Sequence, residues 1–296
     1  MSSLPSTIWG ERRLDWGQQT YVMGIVNVTP DSFAGDGLVE ETLTQDAIIQ
    51  RAVTQAQHFV EDGAIIIDVG GESTRPQAAP ISVEQELARV VPVVRALYDT
   101  LPKEVMISID TYKEEVARQA LDVGACMIND IWALRRDPAM AALASERGVP
   151  VVLMANMRSH DKSATYKREI VSDVVRFLAG SIDLALAAGV AWERIIIDPG
   201  IGFGTTPEEN LTLLRRLGEL RALGRPILLG TSRKSTIGLV LGGVPASERL
   251  EGTAATVALG IAQGADIVRV HDVREMVRVV KMSDAIVRDT LLHNLL

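Results

Sequence analysis

Ile195-Ile196-Ile197-Asp198-Pro199-Gly200-Ile201-Gly202-Phe203-Gly204 is the stretch on which the reading of the fold turns. Three isoleucines in succession show no polar alternation, the pattern of a strand buried on both faces. A carboxylate follows at the strand's end, and Pro199, which has no N–H to donate, ends the ladder. Glycines at 200, 202 and 204 keep the next loop close to whatever Asp198 faces, and Phe203 is its one large flat group. A carboxylate at the mouth of a buried strand, beside an aromatic plate, is a way to hold a flat ligand with hydrogen-bond donors on its edge. The competing reading is a structural Asp198 capping the following helix, and the stretch alone leaves the two level.

The same unit recurs in both directions from it. Apolar runs predict strands over 21–27, 64–69, 105–109, 125–128, 149–154, 194–197, 226–229 and 266–270. Helical spacing predicts helices over 45–62, 82–98, 138–147, 170–188, 207–223, 248–263 and 273–291, with another ending at 123. Ser82 with Gln85 three residues on reads as a capping box, and Pro207 suits a first helical turn. Asp62-Gly63-Ala64, Val123-Gly124-Ala125 and Gln263-Gly264-Ala265 each end a helix at glycine and start a strand. Eight strand–helix units over the 250 residues from Tyr21 to Val270 match the size of a (β/α)₈ TIM barrel. A doubly wound sheet ranks lower, because the first turn lacks a Gly-x-Gly-x-x-Gly fingerprint. Residues 1–19 read as a short hairpin extension, with a role in plugging the bottom of the barrel. Residues 20–296 read as a single domain.

The chain has 296 residues, 47% hydrophobic but only 4% aromatic, so its core is aliphatic. A net charge of −8 argues against nucleic acid as a partner. The single Cys126 makes no internal disulfide, which fits a reducing compartment, and its apolar setting places it in the core. No apolar run approaches a membrane span and no signal peptide is evident. The expectation is a cytoplasmic protein.

In a barrel of this kind the strand C-termini share one face, where active sites lie. The ends here carry Asn27, Asp68, Asp110, Asn129, Asp198, Lys234, Arg269 and His271. Strands 2 to 6 supply acids and amides. The last two supply Lys234, Ser235, Arg269 and His271, with Gly230-Thr231-Ser232 as a loop of backbone donors, where barrels commonly bind phosphate. The mouth is therefore bipolar, acidic and amide on one side for a donor-rich ring and basic on the other for phosphate, with Thr74-Arg75 able to add a cation. An internal salt-bridge network, such as Lys234 with Asp110 and Asp198, is the structural alternative. Asn27 offers an oxygen to Mg²⁺, which often binds through few protein groups together with substrate phosphates.

These segments, taken in order, resemble dihydropteroate synthase: 24–33 (Gly24-Ile25-Val26-Asn27-Val28-Thr29-Pro30-Asp31-Ser32-Phe33), 68–76 (through Gly70-Gly71-Glu72-Ser73-Thr74-Arg75-Pro76), Ser108-Ile109-Asp110-Thr111, Ile128-Asn129-Asp130-Ile131, the Asp198 stretch, Ser232-Arg233-Lys234-Ser235 and Arg269-Val270-His271-Asp272. The resemblance implies a transferase of folate biosynthesis. It would condense 6-hydroxymethyl-7,8-dihydropterin diphosphate with 4-aminobenzoate and release diphosphate. It further implies Asp110, Asn129, Ile131, Met154, Asp198, Phe203 and Lys234 around the pterin, and Asn27, Thr74, Arg75, Arg269 and His271 at the diphosphate, with Mg²⁺ on Asn27. Phe33, Arg75, Pro76, Lys234 and Ser235 would approach the aminobenzoate. The implied catalytic set is Asn27, Asp36, Arg75, Lys234, Arg269 and His271, and the implied assembly a homodimer. The sequence departs from the family pattern at Thr205, where many members carry lysine, at Ala155-Asn156-Met157-Arg158, where Met-His is common, and in placing the first-loop acid at Asp36. Rival readings are another pterin-binding barrel such as a methyltetrahydrofolate methyltransferase, a pterin-binding paralogue without the activity, and an unrelated phosphate-binding barrel.

Overall fold

The computed structural model describes residues 4–29, 44–73, 79–159 and 169–288. An antiparallel hairpin, β1 (Thr7–Trp9) and β2 (Arg12–Leu14), precedes eight parallel strands. These are β3 (Tyr21–Asn27), β4 (Ile66–Gly70), β5 (Met106–Asp110), β6 (Met127–Asp130), β7 (Val151–Met154), β8 (Ile195–Asp198), β9 (Leu228–Leu229) and β10 (Ile267–Val270). They pair in the order β8-β7-β6-β5-β4-β3-β10-β9. A parallel bridge between Ile197 and Ile227, with Ile197 N–H on the Pro226 carbonyl at 2.9 Å, joins the two ends and closes the barrel.

The connecting helices are α1 (Gln45–Asp62), α2 (Val83–Thr100), α3 (Glu114–Asp122), α4 (Ala139–Arg147), α5 (Ile170–Ala187), α6 (Pro207–Arg215), α7 (Ser235–Val240), α8 (Leu250–Ala262) and α9 (Val273–Val287). Ser82 and Gln85 form the expected capping box, and Gly63 ends α1 at φ 111°. The helix expected over 207–223 is broken. α6 stops at Arg215 and a 3₁₀ turn continues over Leu217–Leu223, where a Cβ on Gly218 would meet Gln263 Oε1 at 2.9 Å. α7 was not expected: six residues are too few for helical periodicity to show.

The side-chain period of two splits every strand between two cores. Val26, Val69, Ile109, Leu153, Ile197, Leu229 and Val268 pack outward against the helices. Met23, Ile66, Met106, Met127, Val152, Ile196, Leu228 and Ile267 fill the barrel. Trp9, Leu14 and Trp16 join this second core together with Cys126, so the N-terminal hairpin does plug the barrel's bottom. Trp16 Nε1 donates to Thr7 Oγ1 at 3.0 Å and meets Tyr21 edge to face. The bottom is thus sealed with apolar volume, and the polar inward positions gather toward the opposite end.

Candidate active site

The alternation that buries Met23, Ile66, Met106 and Ile267 also turns Asn27, Asp68, Asp110 and Arg269 inward, two or four residues further along the same strands. Arg269 Nε donates to Asp68 Oδ2 at 2.6 Å and Nη2 to Asp110 Oδ2 at 2.7 Å. Asn129 Nδ2 donates to the same Asp68 oxygen at 3.0 Å. Asn27 joins them from β3: a Cβ built on Gly70 would lie 3.6 Å from Asn27 Oδ1 and 3.7 Å from Asp110 Oδ2. Burial pushes the Asp110 carboxyl up to about 7; Arg269 opposes this, while Asp68 adds to it. Burial alone would lower the Arg269 guanidinium, but Asp68 and Asp110 outweigh it and hold it above its ordinary value.

Across the mouth, Asp198 ends β8 with Oδ1 accepting the Gly200 N–H at 2.7 Å. It does not cap the next helix. Thr206 does that, with Glu209 completing a capping box. A Cβ built on Gly230 would lie 4.0 Å from Asp198 Oδ2 and 4.0 Å from Lys234 Nζ, so acceptor and cation flank one space. Lys234 Nζ donates to the Ile201 carbonyl and stands 4.9 Å over the Phe203 ring. The Arg158 guanidinium lies 4.7 Å from the same ring. Burial pushes Lys234 down to about 8 against the pull of Asp198, with Arg269 and Arg158 pushing the same way as burial. Burial raises Asp198 despite Lys234 and the Gly200 N–H.

The glycines of 198–204 are explained by close approach. A Cβ on Gly200 would stand 1.9 Å from the Ala155 carbonyl oxygen, and one on Gly204 2.3 Å from the Arg158 nitrogen. The loop therefore lies directly on the 155–158 backbone, tied by Ala155 N–H to the Asp198 carbonyl and Met157 N–H to the Phe203 carbonyl, each at 2.9 Å. Two departures from the family pattern sit in this seam. Thr205 Oγ1 accepts the Gly202 N–H and hydrogen-bonds Asn210 Oδ1 at 2.6 Å, stitching the loop together. Asn156 Nδ2 donates to the Ile131 carbonyl at 3.1 Å. Met154 and Ile131 are buried beside it.

His271 follows β10, its backbone N–H donating to Ser232 Oγ at 3.1 Å and its Nδ1 lying 3.0 Å from the same oxygen. Ser235 is exposed at the start of α7. Phe33, Asp36, Thr74, Arg75 and Pro76 lie outside the described residues. The salt-bridge alternative is realised in another pairing than the one anticipated: among the described residues the ion pairs of the mouth join Arg269 to Asp68 and Asp110. Sequence reasoning gave no role to three further groups. Arg233, at φ 58°, pairs with Asp272 and ties the β9 loop to the end of β10. Lys113 bridges Glu72 and Glu86, each at 2.5 Å, and donates to the Ile81 carbonyl, clamping the chain on both sides of residues 74–78. Asp130 accepts the Trp132 and Leu134 N–H groups at 2.8 and 2.7 Å and so shapes its own loop; burial still pushes it up to about 6. Opposite charges in the Arg233 and Asp272 motifs were the available signal for the first.

A family described as pterin binding enzyme matches residues 23–271. A dihydropteroate synthase of Clostridium beijerinckii is 46% identical over 280 residues, covering 94% of this chain and 98% of the relative. The chain belongs to the dihydropteroate synthases of the pterin-binding enzyme family. Solved members of that family superpose on it closely. A dihydropteroate synthase from Clostridium difficile, determined in the presence of pteroic acid, has a TM-score of 0.84 at 46% identity, covering 93% of this chain and 99% of its own. One from Xanthomonas albilineans with 4-aminobenzoic acid has a TM-score of 0.85 at 39% identity, covering 96% and 98%. Among the described residues no helix is long and apolar enough to cross a membrane.

Proposed function

We propose that this chain condenses 6-hydroxymethyl-7,8-dihydropterin diphosphate with 4-aminobenzoate, forming 7,8-dihydropteroate and diphosphate, at the mouth just described. The observation that carries the reading is Asp198 and Lys234 flanking one space beside Phe203. A pterin presents adjacent 2-amino and N3–H donors and, next to them, a carbonyl acceptor. One carboxylate accepts both donors, one ammonium serves the acceptor, and the phenyl ring borders the plane. Asp110 and Asn129 face the rest of the ring, with Ile131 and Met154 as apolar wall.

Arg269 and His271 hold the diphosphate, with Asn27, Thr74 and Arg75. Ser232 Oγ takes the His271 backbone N–H and can donate its own hydrogen to Nδ1, which leaves Nε2–H as a donor to a phosphate oxygen. The bond from the pterin methylene to oxygen breaks with its electron pair leaving on diphosphate. The amine lone pair then bonds to the methylene, and the proton it releases goes to solvent. An aniline nitrogen is already neutral at pH 7, so no strong base is required, and positioning with electrostatic stabilisation carries the rate. Phe33, Arg75, Pro76, Lys234 and Ser235 border the aminobenzoate, and Asp36 acts near the methylene.

Among the described residues no cluster of three His, Cys, Asp or Glu could hold a metal ion. A single amide oxygen at Asn27 fits Mg²⁺ that is bound mainly by substrate phosphate oxygens and water. When bound there, the ion would neutralise charge on the departing diphosphate.

The assembly is a homodimer through α7, α8 and α9. α8 carries one charged residue, Glu251, yet leaves Leu259 65% exposed. Beside it Met282 and Ile286 of α9 are exposed, Ile286 by 72%, as are Leu239, Val240 and Leu241 at the end of α7. A surface helix apolar around most of its circumference is one covered on both sides. A second copy supplies a matching cover by symmetry. The lone buried cysteine agrees with the reducing cytoplasm as the place of work.

Calorimetric titration with the dihydropterin diphosphate and Mg²⁺, followed by 4-aminobenzoate with diphosphate assayed, tests the function. Aminobenzoate-dependent release supports the synthase. Pterin binding without release supports the non-catalytic paralogue, and absence of pterin binding refutes the reading of the site.

A further inference from the structure

We propose that Asp68 is the positioning residue of this site: through one carboxylate oxygen it decides which end of the Asn129 amide, and which arm of the Arg269 guanidinium, is presented to the substrate. The proposal rests on the functional reading above.

Asp68 lies on β4 inside the barrel and is 0% exposed. Its Oδ2 receives both Asn129 Nδ2 and Arg269 Nε. Its Oδ1 and the hydroxyl of Ser108, its register partner on β5, are buried with no hydrogen-bond partner among the described residues. The hydrogen bonds that Asp68 makes thus go to two groups of the proposed substrate site.

A carboxylate can only accept. The NH₂ end of Asn129 must therefore turn down to Asp68, which leaves the carbonyl end for a pterin N–H. An asparagine otherwise flips at little cost, and a flipped Asn129 would set a donor against a donor. Arg269 is treated likewise. Asp68 takes Nε and Asp110 takes Nη2, so Nη1 is the arm left for an anion. The side chain is 20% exposed, as a group open to a ligand must be. A buried ion pair of this kind is a weak stabiliser compared with apolar packing, so stability alone gives little reason for a carboxylate at this position.

The test is Asp68→Asn, which keeps the shape but offers either an oxygen or an NH₂ to Asn129. Expected is a Kd for the dihydropterin diphosphate raised about 10–100-fold, the range for groups that orient a ligand-binding side chain. The KM for 4-aminobenzoate should change less than about twofold, and the loss of pterin affinity should persist well below the lowered melting temperature that removing one partner of a buried pair brings. Asp68→Ser, which removes the carboxylate without setting an amide N–H against Arg269, serves if the first variant does not fold. Unchanged pterin affinity, or losses for both substrates that track a lowered melting temperature, would overturn the proposal. An independent readout is the Arg269 Nε–H signal in ¹⁵N spectra, identified by its loss in Arg269→Lys. Slow exchange in the wild type and fast exchange in Asp68→Asn support the role, and fast exchange in both removes it. If the wild type binds no pterin, the functional reading has failed, and this signal still decides whether Asp68 holds Arg269.

Discussion

Arg269 on β10 reaches Asp110 on β5 at 2.7 Å, across the barrel and 159 residues away in sequence. The pair joins the basic side of the mouth to its acidic side.

Two half-buried groups of the mouth place their titrations near neutrality, Asp110 at about 7 and Lys234 at about 8. Expected is a bell-shaped dependence of kcat/KM for the pterin substrate, falling below about pH 7 and above about pH 8, with the limbs belonging to the coupled groups together. Lys234→Ala should lower kcat/KM at least about 100-fold and erase the basic limb. The signs for stability follow from proton uptake. Asp110 is raised above its ordinary 3.8, so the folded state holds a proton that the unfolded state releases between pH 4 and 7. Its contribution is greatest at low pH and is lost as pH rises through about 7. Lys234 is lowered from 10.5, so its charged form is disfavoured in the fold, and that cost is relieved as pH rises from about 8 to 10.5. Measured against wild type, Asp110→Asn should therefore gain relative stability between pH 4 and pH 8 in denaturant titrations. A flat difference would contradict the Asp110 assignment.

Asp198→Asn should remove pterin binding. An amide presents an NH₂ where the ring presents donors, and two charge-assisted hydrogen bonds of roughly 1.5–3 kcal/mol each are at stake. A loss of about 100-fold or more in affinity is expected by calorimetry. Retained affinity would show that the pterin edge lies elsewhere.

Trp16→Ala should destabilise the barrel without altering the mouth. The indole is buried in the bottom core and hydrogen-bonded to Thr7. Large aromatic truncations of this kind cost about 3–5 kcal/mol. Urea unfolding should show the loss, while kcat measured well below the melting temperature should stay near wild type. A neutral result would mean that the hairpin closes nothing.

Leu259→Glu combined with Ile286→Glu should give a monomer by sedimentation while each subunit stays folded by circular dichroism. Two charges at the centre of an apolar face cannot be desolvated without partners. A wild-type monomer at micromolar concentration would refute the dimer.

Much of this architecture was legible in the residues themselves. Ile195-Ile196-Ile197 announced a two-sided buried strand, and Gly63 and the Ser82–Gln85 box marked helix ends, because caps and periodicity are local chemistry. The inward set was legible too, since alternation along β4 and β5 ties Asp68 and Asp110 to the face of Ile66 and Met106. What the chain could not announce was partnership. The salt-bridge alternative joined Lys234 to Asp110 and Asp198; Lys234 does stand near Asp198, while the two-arm bridge to Asp68 and Asp110 comes from Arg269. The helix breaks after Arg215, and the 3₁₀ turn that follows lays Gly218 against Gln263, a neighbour remote in sequence.

By itself, then, the sequence determined eight strand–helix units, the polar groups at their C-terminal ends, and the aromatic loop at Phe203. The tertiary structure alone decided which charges meet and how Trp9, Leu14 and Trp16 pack to make the expected plug. The reason is physical: local patterns are set by backbone geometry within a few residues, whereas ion pairs and packing depend on distances fixed only when the Ile197–Ile227 bridge closes the barrel.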